Sequence, residues 1–435
     1  MSVPGLEVPS LTVHVVDHPS PGYLFLTTLT GPGRRGPQIV DNTGEPVWFN
    51  QLSQVAIDFR VQTYRGEPVL TWWQGVIGAG FGQGVGVIVD QSYRHVAEVR
   101  AGHGYAADVH EFLLTPQGTA LITIYNLVSA DLTSVGGPAQ GHVLDSIVQE
   151  VDVKSGSVLF EWHSLDHVPL TDTYAPVLDP FDYFHINSID VHPDGNLVVS
   201  ARNTSAIYKL DRKTGEVLWT LGGRRSDFEL GPRVLFMYQH DARAHLDGTL
   251  TMFDDGPSAS SQQSRAIRLG LDTASMRALL LQEYVHPTPL ASAAMGNAQF
   301  LPDGGVLVGW GTEPYVTEFG PFGDVRFDAS FDGGAWDYRA YRQVWVGEPS
   351  APPSVAVRRR AGAGVTAYAS WNGSTRVAHW RIDGGPTKST LSPLRTVERT
   401  GFETQVALRQ APKYVSATAL DADLKPLGTS PAVRA

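Results

Sequence analysis

A chain of 435 residues, 42% of them hydrophobic, can bury a sizeable core and has room for one large domain plus a smaller one. Its formal net charge of -11 disfavours nucleic acid and anionic membrane as partners, and the absence of cysteine removes thiolate catalysis, disulfides and zinc–thiolate sites together. No apolar run approaches the roughly 20 residues of a membrane-spanning helix, and the opening Met1-Ser2-Val3-Pro4-Gly5-Leu6-Glu7 lacks the basic and apolar regions of a secretory signal. The expectation is a cytoplasmic protein as numbered, or a secreted one if a leader was removed.

In chain order, the predicted elements are short strands of two alternating kinds. One kind is a strand, an Asp near a Gly-containing turn, and a strand ending in an aromatic. It begins at Pro37–Trp48 around Asp41 and Gly44, and recurs without the glycine at Gly86–Val99. Further copies are Val148–Trp162 around Asp152, Ile207–Trp219 around Asp211, Ala266–Asp272, and Val316–Val325. The other kind is a hairpin whose first strand opens on a polar residue. It is partial at Pro21–Leu26 and runs from Phe59-Arg60-Val61 to Trp73. Asp108-Val109-His110-Glu111-Phe112 turns through Pro116-Gln117-Gly118, and Tyr183–Val191 turns through Pro193-Asp194-Gly195-Asn196. Tyr238–Arg243 turns through Asp247-Gly248, and Met295–Phe300 through Pro302-Asp303-Gly304.

Two hairpins per unit, at a period of roughly 50 to 60 residues, predict a four-stranded blade repeated six times. The fold expectation is all-β: residues 1–347 form a six-bladed β-propeller. Its N-terminal unit lacks a first strand, so the segment around Tyr341–Val346 is expected to return and close the ring. A helical solenoid is excluded by turn signals every few residues and by the lack of a sustained 3.6-residue period. The proline-rich stretch Gly347–Pro353 reads as a linker, and short strand-like runs after it predict a small β-sandwich over residues 348–435 with a structural role.

In a propeller, equivalent positions of the first strands converge on the axis although they lie far apart in sequence. His110, His185, Asn187, His240 and Asn297 are therefore expected around one pocket, with Arg202 reaching it from the strand that returns from His185. A histidine there can act as nucleophile or as general acid/base, and a guanidinium can hold an oxyanion. The alternative is that these imidazoles bond to backbone and seal the channel; three at equivalent positions favour function. Zinc on three histidines, with Asp241 and Glu111 as carboxylates, is the metal alternative. It is set aside because amides and guanidinium, rather than a carboxylate for each imidazole, form the neighbours read from the sequence. Calcium is set aside for want of a dense acidic loop. No cofactor or metal is assigned.

Asp108–Phe112, Asp182–Ser188, Gln239–Arg243 and Trp371-Asn372-Gly373 resemble motifs of the arylsulfotransferase family, in the branch common in fungi and actinobacteria. The resemblance covers nearly the whole chain. It implies a six-bladed propeller that moves a sulfuryl group from a phenolic sulfate ester to another phenol without the nucleotide donor. By motif, His240 matches the histidine that is transiently sulfated, His185 and Asn187 the pair near the sulfuryl oxygens, Arg202 the anion-holding arginine, and His110 the remaining channel histidine. The candidate catalytic residues are thus His240, His185 and His110. Arg202, Asn187, Asn297 and Arg243 are the candidate substrate-binding residues, and the partner is a small aromatic or phenolic molecule. A natural-product cyclase or lyase using the same channel, and a non-catalytic ligand-binding propeller, are the alternative readings.

Overall fold

Turn chemistry explains why the chain breaks into short hairpins. In the computed structural model, which describes residues 2–256, 263–361 and 364–435, the recurring aspartates accept backbone N–H groups of the turns that follow them. Asp41 takes Thr43, Asp90 takes Ser92, Asp152 takes Ser155, and Asp211 takes both Lys213 and Thr214, all at 2.7–2.8 Å. The side chain thus replaces a backbone acceptor and reverses the chain.

The resulting architecture is all-β. Among the described residues, six sheets of four or five strands, antiparallel except for the edge strand Glu229–Leu230, follow one another along the chain. The second is Val55–Tyr64, Glu67–Gly78, Phe81–Val89 and His95–Val99; the third is Phe112–Leu114, Thr119–Ala130, Gly141–Asp152 and Val158–His163. The fourth is Ile186–Val191, Leu197–Ala201, Ala206–Leu210 and Val217–Gly222. The fifth runs from His240–Ala244 through Thr249–Asp254 and Arg265–Asp272 to Arg277–Tyr284, with the short Glu229–Leu230 beyond it. The sixth runs from Asn297–Phe300 to Val325–Phe331 and gains Leu11–Val16 as an outer fifth strand, which the sequence reading did not assign. The first sheet is completed from the far end of this region. Tyr341–Gln343 pairs with Tyr23–Thr27, Phe25 opposite Tyr341, ahead of Pro37–Val40 and Pro46–Phe49.

Side chains tie each first strand to the next, and the circuit closes. Gln343 brackets both backbone groups of Val61 at 2.6 and 2.9 Å. Gln62 holds Phe112 O and the Leu114 N–H at 2.9 and 2.8 Å. Glu111 accepts the Ile189 N–H at 3.3 Å, and Asp190 that of Ala244 at 2.8 Å. His240 accepts the Met295 N–H at 3.3 Å, and Gln299 brackets Arg342 at 3.0 and 2.7 Å, returning to the first sheet. The first strands therefore run side by side, with their heads at one end.

Beyond residue 347 lie a three-stranded sheet containing Val365–Ser370 and a five-stranded sheet containing Tyr414–Leu420, which share a core around Trp380, Ile382 and Val406. This region is latched onto the first two sheets. Asn372 brackets Phe49 at 3.0 and 2.9 Å, and Tyr93 donates to Gly373 O at 2.7 Å while its ring stacks on Trp48. Among the described residues, no helix is long and apolar enough to cross a membrane.

Candidate active site

The strand heads depart from regular β geometry. Asp241 has φ 57° inside the register shift between His240 and Arg243, His185 has φ 58° just before the shift between Ile186 and Ser188, and Tyr238 and Met295 have φ 55° and 70°. Bulges of this kind re-aim side chains, and left-handed bulky residues persist only where the surroundings enforce them.

The re-aimed side chains are histidines. His110 and His185 meet edge to face with ring centroids 4.9 Å apart, and Tyr125 lies against both at 5.5 and 5.7 Å. Tyr338 donates to the carbonyls of His110 and Asn187 at 3.2 Å each, and Asn187 donates to Gln239 O at 2.6 Å, next to His240. The Asn187 Oδ1 is buried with no partner.

Each imidazole is oriented by a carboxylate. The Nδ1 atoms of His110, His185 and His240 lie 2.6, 2.5 and 2.6 Å from Asp108, Asp182 and Asp255. This corrects the amide-and-guanidinium neighbourhood read from the sequence. Asp108 sits two residues before its histidine, but Asp255 comes from just past the returning strand Thr249–Asp254, 15 residues beyond His240. The Met295 N–H can only donate, so the His240 Nε2 that receives it carries a lone pair and the proton sits on Nδ1, facing Asp255.

Burial, reinforced by the charges of Arg202, His185 and His110, holds the His240 imidazole well below its ordinary range. Burial likewise lowers His185, against the opposing pull of Asp182. Burial pushes the Asp255 carboxyl up, with Arg202 opposing. For Asp108, burial acts upward, but His110 and the N–H groups of Gly82 and His110 together bring the carboxyl below its usual value.

Arg202 lies over the Tyr238 ring, 4.7 Å from its centroid. It donates to Asn203 Oδ1 and Ala293 O at 3.0 Å each, and its Nε has no partner. A guanidinium has five N–H bonds, so donors remain for an anion. Arg202, Asn203, Tyr238 and Asp182 form the polar end of a cavity of about 580 Å³. Its other walls come from the loop around Leu178 and from the hairpin tip that carries Ala79 and Phe81. A Cβ placed on Gly80 in that tip would lie 3.9 Å from His185 Cε1, so the tip overhangs the histidines. Gly82 and Gly84 leave room for the Trp73 ring of the partner strand, which a Cβ there would meet at 2.7 or 2.6 Å.

Two candidates are placed elsewhere. Asn297 spends both amide atoms on Ala340, donating at 2.8 Å and accepting at 2.9 Å, so it joins sheets rather than facing the cavity. Arg243 belongs to a buried cluster further along the axis, where it meets Glu111 at 2.7 Å and Asp241 at 2.6 Å. These two carboxylates, invoked in the zinc alternative, are turned to arginine. Among the described residues, no three His, Asp or Glu side chains form a group that could hold a metal ion. Phe81, Leu178 and Tyr238, which line the cavity, carry no polar signal at a repeat position and were missed.

A family model described as arylsulfotransferase (ASST) matches residues 60–332. No curated protein matches the chain. Among solved structures, a protein of unknown function from Bacteroides caccae is 14% identical, with TM-score 0.45 and coverage of 74% of this chain and 100% of that one. A functionally unknown protein from Desulfotomaculum acetoxidans is 12% identical (TM-score 0.39, covering 74% and 99%). A catalytically inactive virginiamycin B lyase from Staphylococcus aureus with quinupristin is 10% identical (TM-score 0.37, covering 82% and 95%).

Proposed function

The chain belongs to the arylsulfotransferase family, and we propose that it transfers a sulfuryl group from an aryl sulfate to a phenol through a histidine intermediate, without a nucleotide donor. In this reading residues 1–347 are a six-bladed β-propeller with the reaction at its axial mouth, and residues 348–435 are a supporting β-sandwich. The observation that carries the mechanism is the His240–Asp255 pair, whose geometry leaves a neutral imidazole with its lone pair on Nε2.

His240 Nε2 forms a bond to sulfur while the ester S–O bond breaks. The Met295 N–H contact, long at 3.3 Å, gives way. The imidazole becomes cationic, and the Asp255 carboxylate facing Nδ1–H offsets that charge. Arg202 donates to the sulfuryl oxygens, whose charge persists throughout the transfer. The departing phenolate takes a proton from His110. His185, held neutral by burial, accepts the proton of the incoming phenol as its oxygen bonds to sulfur and the N–S bond breaks, and returns it to His110, whose ring centroid lies 4.9 Å away, so that both imidazoles end as they began.

Incubation with an aryl sulfate and no acceptor, followed by intact-mass measurement, is expected to show the gain of one sulfuryl group, and steady-state kinetics to be ping-pong. His240→Ala should abolish both, and Arg202→Ala should slow transfer on the order of 10²-fold. A His240→Ala protein that still transfers sulfuryl groups at full rate excludes the covalent route. A wild type that gains no mass, yet cyclises or eliminates a phenolic intermediate, replaces this reading with the lyase alternative.

A further inference from the structure

The cavity beside the His185–Asp182 pair takes its polar lining from Asp179, Asp182, Arg202, Asn203, Tyr238 and Ser292. Most of the remaining lining is apolar, with Ala79, Phe81, Leu144, Pro176 and Leu178 as its main side chains. Two long hairpins build this wall. Glu67–Gly78 with Phe81–Val89 carries Phe81, and Thr119–Ala130 with Gly141–Asp152 carries Leu144. Their strands of 9–12 residues exceed the 5 residues of each strand in the equivalent pair of the fourth sheet, so they rise past the strand heads and give the mouth a side.

The wall is held in place. Phe81 stacks on Tyr125 at 5.5 Å with planes 10° apart, and Tyr125 donates to Ile186 O at 2.8 Å. The loop carrying Leu178 is pinned at its start by Tyr174 N–H on Asn203 O at 2.7 Å, and at its end by Phe181 N–H on His142 O at 2.8 Å. Leu178 nevertheless leaves 65% of its surface in water. An apolar side chain held at the rim of a rigid apolar wall gains nothing from the fold, but it gains from covering a ligand.

We infer that the molecule taken here is a multi-ring phenol or its sulfate ester rather than a single-ring one, and that Phe81 and Leu178 set that preference. The inference rests on the sulfuryl-transfer reading for the polar head, which sits at Arg202 and Tyr238. The apolar body follows from the cavity alone. About 580 Å³ falls within the range of roughly 300–1,000 Å³ that encloses ligands of several rings. With one ring in contact with the polar end, much of the wall is left facing water; a second fused ring covers Phe81 and Leu178.

The test is calorimetric binding of phenol and of 2-naphthol to the full chain, with no sulfate donor present. 2-Naphthol is expected to bind about tenfold tighter, from the apolar area of its second ring. Leu178→Ser, at an exposed position that folding tolerates, and Phe81→Ala should each narrow that ratio to about threefold or less. Equal affinities in the wild type, or an unchanged ratio in both variants, overturn the inference. Binding separates it from the transfer reading. Tight 2-naphthol binding without any mass gain from an aryl sulfate leaves the inference standing and removes the transfer. A mass gain with no preference between the two phenols does the reverse.

Discussion

At His240 the reactive property is the position of one proton. Asp255, 2.6 Å from Nδ1, keeps it there, and the lone pair stays on Nε2. An asparagine at position 255 can turn its amide N–H toward Nδ1, which moves the imidazole proton to Nε2 and masks the attacking electrons. Asp255→Asn should therefore slow the sulfation half-reaction on the order of 10²-fold or more, read as the rate of mass gain after rapid mixing, with little change in aryl sulfate affinity. The pH dependence has a definite sense. Burial and Arg202 hold His240 well below the ordinary imidazole value of 6.5, so the nucleophile is already neutral at pH 6.5. The wild-type sulfation rate should stay level down through pH 6.5 and decline only in more acidic buffer. An acid limb centred at or above pH 6.5 contradicts the desolvated site described here.

At the scale of elements, the two alternating half-units were legible because they rest on local chemistry: aspartates that bind their own turns, and β-branched runs beside them. Even the closing strand was legible, since the N-terminal unit lacked a partner and Tyr341–Gln343 was left over. What was not legible depends on contacts between units. Asn297 occupies the position of a site residue but is consumed by Ala340, and Asp255 reaches His240 from another strand. The overhang that carries Phe81 lies in a glycine-rich run whose strand character comes from packing on Trp73. The approach to the closing strand shows the same dependence. Asp337 is fully buried, accepts the Thr27 N–H and hydroxyl at 3.3 and 3.1 Å, and leaves Oδ2 without a partner. Burial pushes its carboxyl well above the ordinary value of 3.8, with the bonds from Thr27 opposing. The folded state thus keeps a proton that the unfolded chain releases above pH 3.8, and this group's contribution to stability falls as pH rises. Asp337→Asn, which imitates the protonated carboxyl, should raise Tm relative to wild type at pH 8, and the gain should shrink toward pH 4. An equal shift at both pH values would show that ionisation of Asp337 is not involved.

For the whole molecule, the decisive feature is a buried core on the axis in which three guanidiniums meet three carboxylates, with Asp190 4.0 Å from the Arg243 guanidinium. Arg60 lies 2.6 Å from Glu111 and 3.2 Å from Asp58, and Arg243 is bonded to Glu111 and Asp241. Arg339, with no exposed side-chain surface, reaches Asp58 at 3.1 Å, Glu111 at 3.3 Å and Asp241 at 3.3 Å, and donates to Asn187 O at 2.9 Å. It therefore touches the second, third, fourth and fifth sheets at once. A second cavity of about 600 Å³, lined by Arg60, Asp241 and Arg243, opens among residues further along the first strands, so the cluster lies between it and the histidines. Burial works to raise the Glu111 carboxyl, but Arg243, Arg339 and Arg60 together hold it far below its usual value. Removing one cation should expose that balance. Arg339→Met keeps much of the volume and leaves Asp58, Glu111 and Asp241 short of a partner where water cannot reach them. Such a change typically costs about 3–5 kcal/mol, read as a fall in the denaturation midpoint at pH 7. Neutralising one carboxylate at the same time, in Arg339→Met with Glu111→Gln, should recover part of the loss, because fewer uncompensated charges remain. A single variant that unfolds within about 1 kcal/mol of wild type, or a double variant no more stable than the single, would show that packing of the sheets, and not charge pairing on the axis, holds the ring closed.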